Sequence, residues 1–140
     1  MPVQYDIYKA AGLIIKDRRL LLSRNKGKDI FIAPGGKIET GETPADALIR
    51  ELKEEQGITV KPEDLKLMGV YHAVAAGYEA EQLQLEMVVY FVETYAGNVS
   101  PQAEIAENLW YDSSMAGTVK QGSIFEHEVI PKLLELALID

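Results

Sequence analysis

No cysteine occurs among the 140 residues, which excludes disulfides and cysteine-ligated zinc and agrees with a reducing compartment. Histidine is scarce, at two residues, and the chain has no H-E-x-x-H pair, no EF-hand loop and no G-x-S-x-G elbow. Long apolar runs are missing too. None approaches the roughly 18 to 20 residues of a membrane span, and the opening "MPVQYDIYK" lacks the basic and apolar regions of a secretory signal. The expectation is a cytoplasmic protein without a membrane partner. Positive charge is in deficit, with 14 Lys and Arg against 22 Asp and Glu and a net charge of -8. Such a surface repels a polynucleotide backbone, so no nucleic acid polymer is expected as a partner. A small phosphorylated ligand stays compatible, because bound divalent cations reverse the sign locally.

What is present is an ordinary globular composition, 47% hydrophobic, without linker, repeat or low-complexity block. One domain over 1–140 is expected, long enough for a sizeable core. β-prone segments lie at 8–17, 18–24, 65–76, 83–95 and 107–112, and "DIFIAPGG" at 29–36 reads as a brief strand stopped by Pro34 and two glycines. "GYEAEQ", 77–82, suits a hairpin connection. Helices are expected at 44–56 and over "SIFEHEVIPKLLELALI", 123–139. In the second, Ser123 and Glu126 have capping-box spacing, and Val129, Ile130, Leu133, Leu134, Ala137 and Leu138 form an apolar stripe. Pro131 either kinks that helix or begins it. Mixed strands with one internal and one terminal helix predict an α/β fold with a sheet covered on both sides. The stripe either covers the sheet or pairs two chains, which leaves a homodimer open.

The first helix carries a puzzle. Thr43 suits the N-cap, Pro44 the first helical position and Gly57 a left-handed C-cap. Ala45, Leu48, Ile49 and Leu52 share the face expected to be buried, and Glu51, Glu54 and Glu55 occupy the arc beside it. Like charges at that spacing cost about 0.2–0.5 kcal/mol per pair when nothing neutralises them. A solvated face accounts for a lone acidic run, whereas a hard-cation site accounts for convergent carboxylates, since Mg²⁺ and Mn²⁺ take carboxylate oxygen and water. The preceding Pro34-Gly35-Gly36 favours the second reading, because such a turn lets the main chain, including the Gly36 carbonyl, approach a ligand closely. The loop is not a P-loop: Glu42 stands where the phosphate-binding lysine would be. Phosphate bound here would be held chiefly through metal.

Gly36, five residues, Glu42, seven residues and then Arg50-Glu51-Leu52-x-Glu54-Glu55-x-Gly57-Ile58 resembles the signature box of the Nudix (MutT-like) hydrolases at every defined position. At ordinary residue usage, such a set coincides by chance in far fewer than about one window in a million. The resemblance implies an α/β/α sandwich with a mixed β-sheet between helices. It also implies hydrolysis, with Mg²⁺ or Mn²⁺, of a nucleoside diphosphate linked to another moiety. It makes Glu51, Glu54, Glu55 and the Gly36 carbonyl the metal ligands and Arg50 the residue that orients the glutamates. The family does not fix the position of the general base, and Glu54 or Glu51 is expected to serve. Glu42 braces the loop, and Leu52 and Ile58 anchor the core. A further carboxylate from a loop after the sheet is expected at Glu104, with Glu107 in reserve.

The substrate is less legible. Arg24, Lys26, Lys28 and Lys37 flank the loop as candidate phosphate contacts, with Gly35 as a main-chain contact. Tyr71, Tyr78 and Trp110 are candidates to stack on a base, although aromatics in alternating strands are usually core, and His72 is a candidate for the pocket wall. The chain lacks the marker proline of ADP-ribose-cleaving members and the upstream pattern of coenzyme A-cleaving members. By elimination the expected substrate is a nucleoside triphosphate, oxidised or non-standard ones included, cleaved to monophosphate and pyrophosphate. An ADP-sugar or dinucleoside polyphosphate pyrophosphatase, or a non-catalytic nucleotide-sensing domain, stands as the alternative.

Overall fold

The computed structural model describes residues 4–74 and 82–140. Strands β1 (Ile7–Leu13) and β3 (Arg19–Asn25) belong to a segment whose side chains alternate between two apolar environments, as the two-residue period of a strand dictates. Ala11, Leu13, Leu20 and Leu22 enter one core, while Ala10, Ile14 and Leu21 enter the other. Two sheets result. In the first, β1 lies between β5 (Gly35–Lys37) and β7 (Gln84–Val92), with β6 (Leu65–Val74) beyond β7. The β1–β7 pair is parallel and the other pairs are antiparallel. In the second, β8 (Ile105–Tyr111) pairs along β3, and β2 (Ile15–Lys16) and β4 (Phe31–Ile32) each pair with part of it.

Helix α1 (Pro44–Gln56) contributes Leu48 and Leu52 to one core, and the C-terminal helical segment contributes Phe125, Val129 and Leu133 to the other. The strands are therefore covered on both sides, as expected of an α/β sandwich. The ends of α1 are fixed as the sequence predicts. Thr43 caps it through a reciprocal box with Asp46, Pro44 opens it, and Gly57 closes it at φ 69° with its N–H donating to the Lys53 carbonyl.

Four expectations need correction. The segment 29–36 is not one strand stopped by glycines. Pro34, which has no N–H to donate, separates β4 in one sheet from β5 in the other, and Gly35 and Gly36 are themselves ladder residues opposite Ala11 and Ala10. The terminal helix is shorter than 123–139. A π turn over Phe125–Val129, in which the Ile130 N–H donates to the Phe125 carbonyl, leads into α2 (Ile130–Glu135). The wider turn delivers Pro131 to the start of α2, where its missing N–H is harmless, so Pro131 begins a helix. No Ser123–Glu126 capping box forms; the Glu126 N–H donates to the Gly122 carbonyl instead. Finally, the buried face of α1 is Ala47, Leu48, Leu52, Glu55 and Gln56, with Ala45 and Ile49 only half buried. The face extends to two polar residues because both find partners inside. The expected hairpin connection at 77–82, and Tyr78 with it, falls almost wholly outside the described residues.

Candidate active site

Three pieces of chain meet beside the last turns of α1. The first is β5, held to β1. The second is the helix. The third is the loop that leads into β8, which hangs on helix carbonyls that have no partner inside α1: the Ser100 N–H donates to the Gln56 carbonyl at 3.1 Å and the Gln102 N–H to the Glu55 carbonyl at 2.9 Å. That attachment brings Glu104 back to the helix. Carboxylate oxygens of Glu51, Glu55 and Glu104 lie within 4.8 Å of one another. Glu107, the alternative to Glu104, points elsewhere and bonds Arg24 at 2.8 Å.

Gly36 belongs to the same cluster. A Cβ there would sit 2.6 Å from the carboxyl carbon and Oε1 of Glu51, so any side chain would displace the carboxylate. Gly35 serves the neighbouring acid, its N–H donating to Glu55 Oε1 at 3.0 Å. Of the residues expected around a metal, the structure thus brings together Gly36, Glu51, Glu55 and Glu104. Glu54 stands apart from the cluster, its side chain 55% exposed and 3.6 Å from Arg50.

Arg50 is the hub of the opposite flank. Its guanidinium takes both oxygens of Glu42, through Nε at 2.8 Å and Nη2 at 2.9 Å, and also donates to Glu51 Oε1 at 2.8 Å and the Lys37 carbonyl at 3.1 Å. Glu42 in turn accepts from the Glu39 N–H at 2.9 Å. One arginine therefore ties the loop, β5 and the carboxylate cluster together. The Arg50 hydrogen bonds, with help from the Glu39 amide, hold Glu42 down to about 2. Glu55 is 5% exposed, and burial first, then Glu51 and Glu104, push it up to about 8 against the pull of the Gly35 amide. Burial also raises Glu51, with Arg50 opposing.

The donor set suits a particular kind of ion. It is all carboxylate oxygen, with no histidine, which favours a hard divalent cation over zinc or copper. A cation of that kind would also supply the charge that lets these acids ionise side by side.

A cavity of about 290 Å³ whose walls are mainly apolar, including Ile7, Ile32, Met87 and Phe125, reaches Lys37, the residue after Gly36; none of the three clustered glutamates lines it. Lys28 and Lys37 line it, as does Lys9, which the sequence reading passed over. The missed signal is the two-residue period: Lys9 falls between Ile7 and Ala11 on the core-facing side of β1. Arg24 and Lys26 do not line the cavity. Arg24 is occupied with Glu107 and the Lys28 carbonyl, which shapes the loop at the cavity edge. His72 is also elsewhere, stacked on Tyr5 at 4.4 Å and 3.2 Å from Glu86. Tyr71 and Trp110 pack partly buried against the cores.

Behind the site lies a second group that the sequence did not disclose. Gln56, wholly buried, bonds Ser23 at 2.9 Å and exchanges two hydrogen bonds with Asn108 at 2.9 and 2.7 Å. The end of α1 is thereby fastened to β3 and β8. In a buried setting such a network specifies one arrangement, since every member must keep its partners.

Comparison with known proteins agrees with this geometry. A family model described as NUDIX domain matches residues 7–133. An ADP-ribose pyrophosphatase of Methanocaldococcus jannaschii is 30% identical over 124 residues, 86% of this chain and 68% of the relative. An 8-oxo-dGTP diphosphatase of Escherichia coli is 44% identical over 55 residues, covering 36% of this chain and 43% of its own. Among solved structures, one of a MutT study on Aliivibrio salmonicida and Vibrio cholerae superposes with a TM-score of 0.70 at 22% identity, covering 93% of this chain and 98% of the other. With Gly36, Arg50, Glu51 and Glu55 of the box gathered at one site and the family matched from β1 to α2, the chain belongs to the Nudix hydrolase family.

Proposed function

We propose that the chain works as one Nudix domain and hydrolyses nucleoside triphosphates, oxidised or non-standard ones included, to monophosphate and pyrophosphate with Mg²⁺ or Mn²⁺. The observation that carries this reading is the convergence of Glu51, Glu55 and Glu104, with a cavity of about 290 Å³ lined by Lys37, the residue after Gly36. That volume is at the small end for ligand pockets and suits one nucleoside rather than two.

In this reading Glu51, Glu55 and Glu104, with Gly36 beside them, would hold the cation. A divalent cation held by these residues would supply positive charge against the anionic oxygens of the pyrophosphate link and would acidify water. The chain's own groups do the rest. Arg50 keeps Glu51 in place and fixes the loop, and the apolar cavity receives the base. Glu54, exposed and outside the cluster, accepts the proton of the attacking water, whose oxygen forms the new bond to phosphorus as the bridging P–O bond breaks.

A second reading has its own support. The relative with the widest overlap among those described is named an ADP-ribose pyrophosphatase, so ADP-ribose is the alternative substrate. A panel of nucleoside triphosphates, 8-oxo-dGTP, ADP-ribose and a dinucleoside polyphosphate, assayed with and without Mg²⁺ or Mn²⁺, separates them. Cation-dependent pyrophosphate release from triphosphates is the expected result. AMP and ribose phosphate as the preferred products would shift the substrate to ADP-ribose, and binding without turnover would make the domain a sensor.

A further inference from the structure

Lys9 and Lys37 are direct cross-strand partners in the β1–β5 ladder. Like charges opposite each other in a sheet repel, and Lys9 carries the added disadvantage of being partly buried on a core-facing position. An apolar residue there would serve the fold better. Both lysines line the cavity, and among the described residues neither ammonium has a hydrogen-bonded or ion-paired partner. Both lysines stand on the Ile7 and Ala11 side of the β1–β5 ladder, one position along from Ala10 and Gly36. Lys37 follows Gly36, against which Glu51 packs, and Lys9 feels the charges of Glu55 and Glu51. Burial and Lys37 pull the Lys9 ammonium below its ordinary range, with those two acids opposing.

Two ammonium groups side by side on a cavity wall suit an anionic ligand. We propose that Lys9, together with Lys37, binds the phosphate that joins the group held in the cavity to the bond being cleaved. This rests on the pyrophosphohydrolase reading of the site and deepens it: the ligand half that enters the cavity is a nucleoside carrying its own phosphate. A phosphate spanning both ammonium groups would relieve their repulsion, and it would supply acceptors for two charged donors where the apolar walls offer none.

The test compares AMP and GMP with adenosine and guanosine by isothermal titration, with and without Mg²⁺, on the wild type, Lys9→Met and Lys9→Arg. Lys9→Met keeps the length of the stem and removes the charge. It should weaken monophosphate binding at least about tenfold, the worth of one lost charge-assisted bond, and leave nucleoside binding within about twofold. Lys9→Arg should bind the monophosphates within about threefold of wild type. Should Lys9→Met not fold, Lys9→Gln carries the same comparison. Wild-type affinity for monophosphates in the Met variant would overturn the proposal, as would an equal loss for nucleosides or the absence of monophosphate binding to the wild type. Hydrolysis keeps the two readings apart. A Lys9→Met enzyme with wild-type KM and kcat sinks the Lys9 assignment and leaves the hydrolase. A wild type that binds monophosphates through Lys9 but cleaves nothing sinks the hydrolase and leaves Lys9.

Discussion

The two flanks of α1 treat the same kind of residue in opposite ways. On one flank Glu42 is surrounded by donors and ionises more readily than a free carboxyl, held at about 2. On the other, Glu55 is buried beside Glu51 and Glu104 and resists ionising up to about 8. The first flank is complete within the chain. In the second, Arg50 reaches Glu51 alone, and among the described residues Glu55 and Glu104 have no ion-paired cation: carboxylates with donors around them brace the loop, and carboxylates gathered against one another are the candidate site.

The sharpest way to break the comparison is at Glu54, which stands beside both flanks and in neither. Glu54→Gln should lower kcat about 100-fold or more, the scale of a lost general base. Its melting temperature should stay within about 2 °C of wild type, because the side chain is mostly exposed. Retention of most activity would move the base to Glu51. Gly36→Ala is expected to act next most strongly, because the new methyl meets the Glu51 carboxylate at 2.6 Å. Mn²⁺ affinity, read by titration, should fall about tenfold or more, and an unchanged affinity would show that Glu51 is free to move aside. Arg50→Lys tests the completed flank. An ammonium cannot make the paired bonds to Glu42 and still reach Glu51, so kcat should drop about tenfold while Mn²⁺ affinity changes less. If Mn²⁺ affinity fell as far as kcat, Arg50 would belong to the cation site rather than to its support.

How much of this the sequence disclosed follows from the range of the signals. The caps of α1 were legible because Thr43, Pro44 and Gly57 act on their immediate neighbours. Two layers of helix over strands were legible from the order of elements. The meeting of Glu104 with Glu51 and Glu55 was an expectation drawn from family resemblance, and its physical cause, a loop bonded to the carbonyls of Glu55 and Gln56, leaves no trace in local pattern. The same holds for Gln56. Its partners Ser23 and Asn108 are 33 and 52 residues away, so a buried glutamine next to an acidic run reads as a solvated one. Lys9 was concealed differently. Its strand face was readable from alternation, but a single lysine among apolar residues is normally assigned to solvent, and only the cavity reveals why it faces inward.

The smallest expected effect is the most direct measure of the contrast, because pH acts on the two flanks with opposite sign. The ordinary carboxyl value is 4.5, and Glu55 in the folded, metal-free protein is raised to about 8. Its contribution to stability is therefore fully present below about 4.5 and is lost as pH rises through about 8, where the unfolded chain ionises freely and the folded one does so at a cost. Glu42 is lowered to about 2, so its contribution is present above about 4.5 and disappears as pH falls through about 2. In EDTA, the melting temperature should decline from pH 5 to 8.5, and Glu55→Gln should flatten that decline. Glu42→Gln should instead flatten the acid limb and leave the alkaline one. Mg²⁺ competes with the proton on Glu55, so the thermal gain from added Mg²⁺ should grow across the same interval, from about pH 5.5 to 8.5. A gain independent of pH, or an alkaline slope unaltered by Glu55→Gln, would mean that this acid is not the one kept protonated for want of a cation.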